Sequence, residues 1–256
     1  MTLTDAGFRV EVLCLPDTPR DSLDKAAGAL YALFGAREKE FGFGPNVIVD
    51  YPQVTGPDTG FLADPVAHIA ARVEALGRDG PIARVVLLTT YGDLLLPPLT
   101  GAGYRAERID MPAGPDQTFA FTLDRDSGAG RCLYLEAVNE ADEKIRPSFV
   151  IRLLDGTGRL CGGACGAVHG THAYLSILTL IPGLPAGTGT TLAREVLAIL
   201  RGQGVRAVDL GTQTAGRFYE KLGFRVTHRL VRGLRTRVAA DGRQIDDDLV
   251  MLRATL

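Results

Sequence analysis

The chain has 256 residues, 46% of them hydrophobic and 23% charged, and a formal net charge of −2. That size and apolar share suit one or two globular domains with a real core. The absence of a basic excess argues against nucleic-acid binding through phosphate neutralisation, and no stretch approaches the length of a membrane-spanning helix.

The opening Met1-Thr2-Leu3-Thr4-Asp5-Ala6-Gly7-Phe8 lacks the basic and apolar runs of a secretory signal. With so few cysteines (Cys14, Cys132, Cys161 and Cys165), the chain is expected in a reducing cytoplasm. Cys161 and Cys165, followed by His169 and His172, invite a metal reading. Their spacing is wider than the usual zinc pair, and the stretch alternates like a glycine-rich strand, so buried thiols and no metal are expected.

Residues 8–15 alternate and predict a strand. Asp21 or Ser22 caps a predicted helix whose apolar side includes Leu23, Ala27, Leu30 and Phe34. Residues 47–49 read as a short strand. Asp64-Pro65 starts a helix that presents Val66, Ile69, Ala70, Val73 and Leu76 on one face. Residues 85–88 form a continuous apolar strand. Pro97-Pro98 interrupts the next short segment, and strands follow from Arg105 and over 117–123.

Beyond this, 131–138, 148–154, 160–168 and 174–180 predict four strands joined by short turns, an antiparallel region. A helix over 190–201 leads to a strand at 207–210, which implies a parallel pair. A short helix over 215–222 and strands over 224–230 and 248–254 complete the chain. Helix, apolar strand, short helix and a Gly-aromatic-Arg step occur in each half. The steps Gly103-Tyr104-Arg105 and Gly223-Phe224-Arg225 stand about 120 residues apart (223 − 103), the length of a small domain. Two tandem copies are expected, 1–127 and 128–256.

Two motifs carry the chemistry. Leu184-Pro185-Ala186-Gly187-Thr188-Gly189-Thr190-Thr191-Leu192 is a glycine-rich turn opening a helix. Gly187 and Gly189 let the backbone approach a ligand, and the first-turn N–H groups and positive dipole end suit a phosphate. Thr188, Thr190 and Thr191 offer hydroxyl donors. A Walker loop needs a lysine where Thr190 stands, and a dinucleotide fingerprint needs three spaced glycines early in the chain. The second motif is Ala215-Gly216-Arg217-Phe218-Tyr219-Glu220-Lys221-Leu222-Gly223-Phe224. Ala215, Phe218, Tyr219 and Leu222 share a helical face, so spacing alone makes Tyr219 a core aromatic.

Together these motifs resemble the GCN5-related N-acetyltransferase (GNAT) family, most closely over about 174–230. The resemblance implies an α/β fold: two tandem units, each a mixed, mostly antiparallel twisted sheet flanked by helices, with a splayed parallel strand pair. It implies acetyl-CoA as cosubstrate and transfer of its acyl group to the amine of a small molecule. In that reading Tyr219 protonates the departing thiolate. Gly187, Thr188, Gly189, Thr190 and Thr191 hold the diphosphate, Thr212 and Phe218 flank the carrier, and a strand amide near Leu178, Thr179 or Leu180 faces the thioester carbonyl. The family has Arg or Gln where Leu184 stands, and its loop is one residue longer.

The 1–127 copy, with Phe61-Leu62-Ala63-Asp64-Pro65 before its helix and Leu99 near the tyrosine position, resembles a degenerate unit without a CoA loop. No base is legible; Asp209, His169, His172, Glu136, Glu140 and Asp142 are the nearby titratable groups. A non-catalytic acyl-CoA-binding module and a protein N-acetyltransferase are the alternative readings. Neither a nucleic-acid nor a membrane partner is expected, and the chain is expected to be a monomer or homodimer.

Overall fold

A computed structural model describes residues 2–38, 42–43, 47–50, 63–75, 84–89, 92–110, 119–125, 131–137, 147–239 and 241–256. In chain order its elements are β1 (Arg9–Cys14), α1 (Arg20–Glu38), β2 (Gly42–Phe43), β3 (Val47–Asp50), α2 (Pro65–Ala75), β4 (Arg84–Thr89), α3 (Gly92–Gly101), β5 (Tyr104–Asp110), β6 (Phe119–Arg125), β7 (Arg131–Ala137), β8 (Phe149–Leu154), β9 (Leu160–His169), β10 (His172–Leu180), α4 (Thr188–Gly202), β11 (Ala207–Thr212), α5 (Gly216–Glu220), β12 (Arg225–Val238) and β13 (Gln244–Thr255). They fall into two units. Met1–Gly42, Glu143–Arg229 and Val250–Leu256 form the first; Phe43–Asp142 and Leu230–Leu249 form the second.

An eight-stranded mixed sheet runs β1-β8-β9-β10-β11-β13-β12-β2, and the first unit holds its β1, β8, β9, β10 and β11 with the Val250–Thr255 end of β13. Neighbours from β1 to β10 are antiparallel, β10 and β11 are parallel, and β11 and β13 are antiparallel. Alternating apolar residues give this sheet two buried faces. On one, Phe149, Ile151, Leu153, Ala173, Leu175, Val208, Leu210 and Leu252 cluster with Leu192, Val196 and Leu200 of α4. Those α4 residues recur every fourth position, which puts them on a single helix face. On the other, Val150, Cys165 and Ile177 meet Leu23, Ala27 and Leu30 of α1. Truncating fully buried Leu30 to alanine at such a site costs roughly 2–5 kcal/mol.

The glycines of β9 let these layers approach. A Cβ at Gly163 would collide with the Ile151 carbonyl and lie 3.0 Å from Leu30 Cδ2. One at Gly166 would strike the Tyr174 carbonyl and come within 2.9 Å of Phe149 Cζ. Cys161 and Cys165 belong to different clusters on opposite sheet faces, so their sulfurs do not converge.

In the second unit the order is β3-β4-β7-β6-β5. Strands β3, β4 and β7 are parallel, while β6 runs antiparallel to both β5 and β7. As expected, Asp64 caps α2, its Oδ1 accepting the Ala67 N–H at 2.9 Å. Helix α3 continues through Pro97 and Pro98 instead of breaking there. Both prolines are exposed, and Leu95 and Leu99, four apart, bury the other side.

The expected partition at 127/128 differs from the observed one. β1 and α1, assigned by sequence to the first copy, pair and pack with β8, β9 and β10. β7, expected to open the second copy, lies between β4 and β6 in the other sheet. Residues 43–142 are therefore an insertion between α1 and β8. Part of the internal likeness survives in topology. A parallel pair with a helical crossover, then a short helix and a strand entered through a positive-φ glycine, occurs as β3-α2-β4-α3-β5 and as β10-α4-β11-α5-β12. Gly103 and Gly223, at φ 89° and 93°, are those glycines. After that the patterns part: β13 returns antiparallel beside β11, whereas β7 returns parallel beside β4. Strand β12 also continues to Val238, well past the expected 230.

Candidate active site

The site forms where β10 and β11 stop pairing. Their parallel register runs only through His172↔Ala207, Ala173↔Val208 and Tyr174↔Asp209, although β10 continues to Leu180 and β11 to Thr212. A bulge helps open this gap. The β10–β9 register jumps from Leu175↔Gly166 to Ile177↔Cys165, leaving Ser176 as the extra residue. The bulge also exchanges the faces: Ala173 and Leu175 lie toward α4, and beyond it Leu178 and Leu180 take that side while Ile177 lies toward α1.

Backbone direction decides which β10 amides are available. The Ile181 N–H donates to the Cys161 carbonyl of β9 at 2.9 Å. Residues two apart point the same way along a strand. The Thr179 N–H therefore faces β9, and those of Leu178 and Leu180 face the gap left by β11. Of the three residues expected near the thioester, Leu178 and Leu180 turn their N–H toward the gap and Thr179 does not; its side chain is buried, on the side that Ile177 takes two residues before.

The glycine loop leads from this edge into α4. Gly187 is the N-cap in the left-handed region, φ 86° and ψ −10°, with no side-chain cap. Only glycine adopts this without strain. The Thr188 N–H is held by the Pro185 carbonyl at 3.2 Å and the Thr191 N–H by that of Gly187 at 3.0 Å. Among the described residues the N–H groups of Gly187, Gly189 and Thr190 have no hydrogen-bond partner, as a helix start dictates.

The threonines divide differently from expectation. The Thr188 hydroxyl turns inward to donate to the Pro185 carbonyl at 2.7 Å, and that of Thr191 donates to the Gly187 carbonyl at 3.2 Å. Short hydroxyl side chains near a helix start readily bond back to the chain. Their protons are committed, so Thr190 is the threonine left to supply a hydroxyl.

The tyrosine helix closes the same space. A Cβ on Gly189 would lie 3.4 Å from Leu180 Cδ1 and 4.0 Å from Phe218 Cε2, so loop, strand and helix converge at Gly189. Thr212 caps the approach to α5, its hydroxyl accepting the Ala215 N–H at 3.1 Å. The Tyr219 ring is a core member, 7% exposed, edge-on to Phe218 and Phe224 with centroids 5.0 and 5.4 Å away. Its hydroxyl has no hydrogen-bond partner among the described residues, yet is not among the fully enclosed unpaired oxygens. Burial pushes the phenol up to about 12, so it stays protonated at neutral pH.

The other titratable groups lie elsewhere or are engaged. Asp209 is buried and accepts from Arg253 Nε at 2.7 Å. His169 and His172 flank the turn at the opposite end of β10 from the gap. Glu136 is in β7 of the second unit, and Glu140 and Asp142 lie outside the described residues. No group of three or more His, Cys, Asp or Glu among the described residues is placed to hold a metal, and none of the described helices is long and apolar enough to cross a membrane. The sequence offered no sign of two contributors. One is Ser176; the other is Arg37, in the last turn of α1, whose Nη1 donates to the Leu180 carbonyl at 3.1 Å.

No protein-family model matches the chain, and no curated protein matches it. Among solved structures it is similar to an acetyltransferase from Bacillus cereus ATCC 14579, at 20% identity over 41% of this chain and 70% of that one, TM-score 0.33. It is similar to the ribosomal-protein-S18-alanine N-acetyltransferase from Escherichia coli, at 22% identity over 41% of this chain and 67% of that one, TM-score 0.33. A GNAT family acetyltransferase from Elizabethkingia anophelis with acetyl-CoA bound matches at 14% identity over 42% and 76%, TM-score 0.34. All three are acetyltransferases.

Proposed function

We propose that the protein is a cytoplasmic, acetyl-CoA-dependent N-acetyltransferase of the GNAT kind, acting on the amine of a small molecule. The observation that supports it best is the convergence of three elements on the β10–β11 gap. Leu178 and Leu180 of β10 turn their amides toward the gap, the helix-start amides of Gly187, Gly189 and Thr190 have no partner among the described residues, and Phe218 of α5, next to Tyr219, approaches Gly189 together with Leu180.

Each feature answers one need of acyl transfer. The loop amides and the positive helix end take a diphosphate without moving. A β10 amide in the gap donates to the thioester carbonyl as it becomes an oxyanion. The neutral amine attacks that carbon, forming the C–N bond while the C–S bond breaks. The ammonium proton passes to water, and the thiolate takes the Tyr219 proton. An ordinary thiol titrates near 8.5, well below the phenol. The phenol's value already includes its burial, so desolvation of the carrier's thiolate, which raises the thiol in turn, narrows the mismatch. Phenolate formed in turnover regains its proton from solvent once product leaves.

The test is thiol release from acetyl-CoA across a panel of small amines. The reading expects at least one amine to stimulate release well above hydrolysis. Tight carrier binding with no amine-dependent thiol would instead favour a non-catalytic binding module.

A further inference from the structure

We propose that the Ser176 hydroxyl takes the proton that the attacking amine loses and passes one on to Tyr31, which hands its own to water. This rests on the acyl-transfer reading above. Ser176 stands at the right point of β10. It is the extra residue of the bulge, two residues beyond Tyr174, the last to pair with β11, and two before Leu178, whose N–H faces the gap. Two steps along a strand span roughly 7 Å, a distance that a serine side chain and an attacking amine together cover to a carbonyl held at the Leu178 amide. Asp209 is engaged with Arg253, and His169 and His172 flank the turn at the opposite end of β10.

The faces of the sheet set the direction of attack. Leu180, the α4 residues Leu192 and Val196, Phe218 and the Tyr219 ring all belong to one face. A carrier held at the start of α4 with its sulfur beside Tyr219 fills that face, which leaves the amine the α1 face. Ser176 turns there. Tyr31, one helical turn beyond Ala27 on α1, is in hydrogen-bonding contact with the Ser176 side chain and the Cys165 thiol, and Cys165 packs with Ile177 against α1. Ser176 and Ile177 therefore share that side. The far end of the pair meets solvent, since Tyr31 is 44% exposed. Desolvation of its hydroxyl raises the phenol above its ordinary value, so at neutral pH it has a proton to give. As the C–N bond forms, the amine N–H proton moves to Ser176 Oγ, the Ser176 O–H proton to Tyr31 Oη, and the Tyr31 proton to water. Each hydroxyl ends with the one proton it began with, so neither residue is left as an ion. Two neutral hydroxyls can do this only in series, and removing either breaks the same chain.

The experiment measures thiol release from acetyl-CoA, with the panel amine that the wild-type chain uses fastest as the probe. The proteins are wild type, Ser176→Ala, Ser176→Thr, Tyr31→Phe and the Ser176→Ala, Tyr31→Phe double variant, each also titrated with CoA by calorimetry. Ser176→Ala is expected to lower kcat about 10- to 100-fold with CoA affinity within about twofold of wild type, and Ser176→Thr, which keeps a hydroxyl, to recover most of the loss. Tyr31→Phe is expected to lower kcat about tenfold by itself but by less than about twofold when added to Ser176→Ala, because the two act in series. An unchanged kcat in Ser176→Ala would overturn the role. So would a raised KM for the amine at unchanged kcat, which would make Ser176 a binding contact, and so would losses that multiply in the double variant, which would make the two residues act separately. A wild-type chain that releases thiol with no panel amine overturns the enzyme reading and this role with it, whereas wild-type release with an unmoved Ser176→Ala overturns the role alone. Should Ser176→Ala fail to fold, Tyr31→Phe decides: the relay requires its kcat to fall, and a wild-type kcat would refute it.

Discussion

Replacing Tyr219 with phenylalanine separates chemistry from packing unusually well in this site. The ring makes edge contacts with Phe218 and Phe224 at interplanar angles of 73° and 68°, and phenylalanine keeps both. The hydroxyl has no hydrogen-bond partner among the described residues, so its removal orphans no described donor or acceptor. Stability should therefore change by no more than about 0.5 kcal/mol. Turnover should fall roughly 10²- to 10⁴-fold, or ~3–5 kcal/mol of barrier, the range for losing a positioned acid. Affinity for the carrier should stay near wild type, because the diphosphate contacts lie in the loop. The assay is thiol release under saturating amine and acetyl-CoA, with urea unfolding on the same samples. Unchanged turnover in a folded variant would remove Tyr219 from the reaction. A loss of several kcal/mol of stability would show that its hydroxyl serves the core.

Gly187→Glu should abolish measurable CoA binding in calorimetry, since it forces a side chain into the left-handed region at ~1–2 kcal/mol and puts a carboxylate at an anion site; Gly187→Ala, with the strain but no charge, should bind far better, and equal affinities in the two would contradict the cradle. Arg253→Met should destabilise by roughly 3 kcal/mol in urea unfolding, because Asp209, its side chain 6% exposed, loses its 2.7 Å partner; this is the low end for a buried pair, as Arg253 is 40% exposed. Adding Asp209→Asn should recover part of that loss, and a single-variant cost below about 1 kcal/mol would refute the argument. Stability should also fall at alkaline pH. Burial raises Cys165 from 9.0 and Tyr219 from 10.0, each to about 12, so above pH 9 the unfolded chain releases protons that the folded chain keeps. The sum by pH 11 is ~4 kcal/mol, full stability being present below pH 9; urea midpoints that are flat from pH 8 to 11 would contradict it.

The local parts of the site were legible because local chemistry makes them. Paired glycines followed by threonines announce a helix start with open amides, and Phe218-Tyr219 followed by Leu222-Gly223-Phe224 announces a short helix ending in a left-handed glycine. Long-range pairing was not legible. Nothing in 9–14 says that its partner is 149–154, across an inserted segment of about a hundred residues, so the first strand and helix went to the wrong unit and β7 to the wrong sheet. The Ser176 bulge was hidden because one extra residue leaves the apolar alternation on both sides intact. The bond from Arg37 to the Leu180 carbonyl was hidden because it depends on where α1 ends relative to β10, a fact of packing alone. The threonine hydroxyls were over-counted because local bonding to Pro185 and Gly187 competes with a ligand, and composition does not record that competition.

The most direct test is a crystal structure of the protein grown with CoA. The diphosphate oxygens should lie within hydrogen-bonding distance of the Gly187, Gly189 and Thr190 amides, with the sulfur end in the β10–β11 gap beside Tyr219. A well-ordered carrier bound elsewhere, leaving those amides to water, would contradict the account.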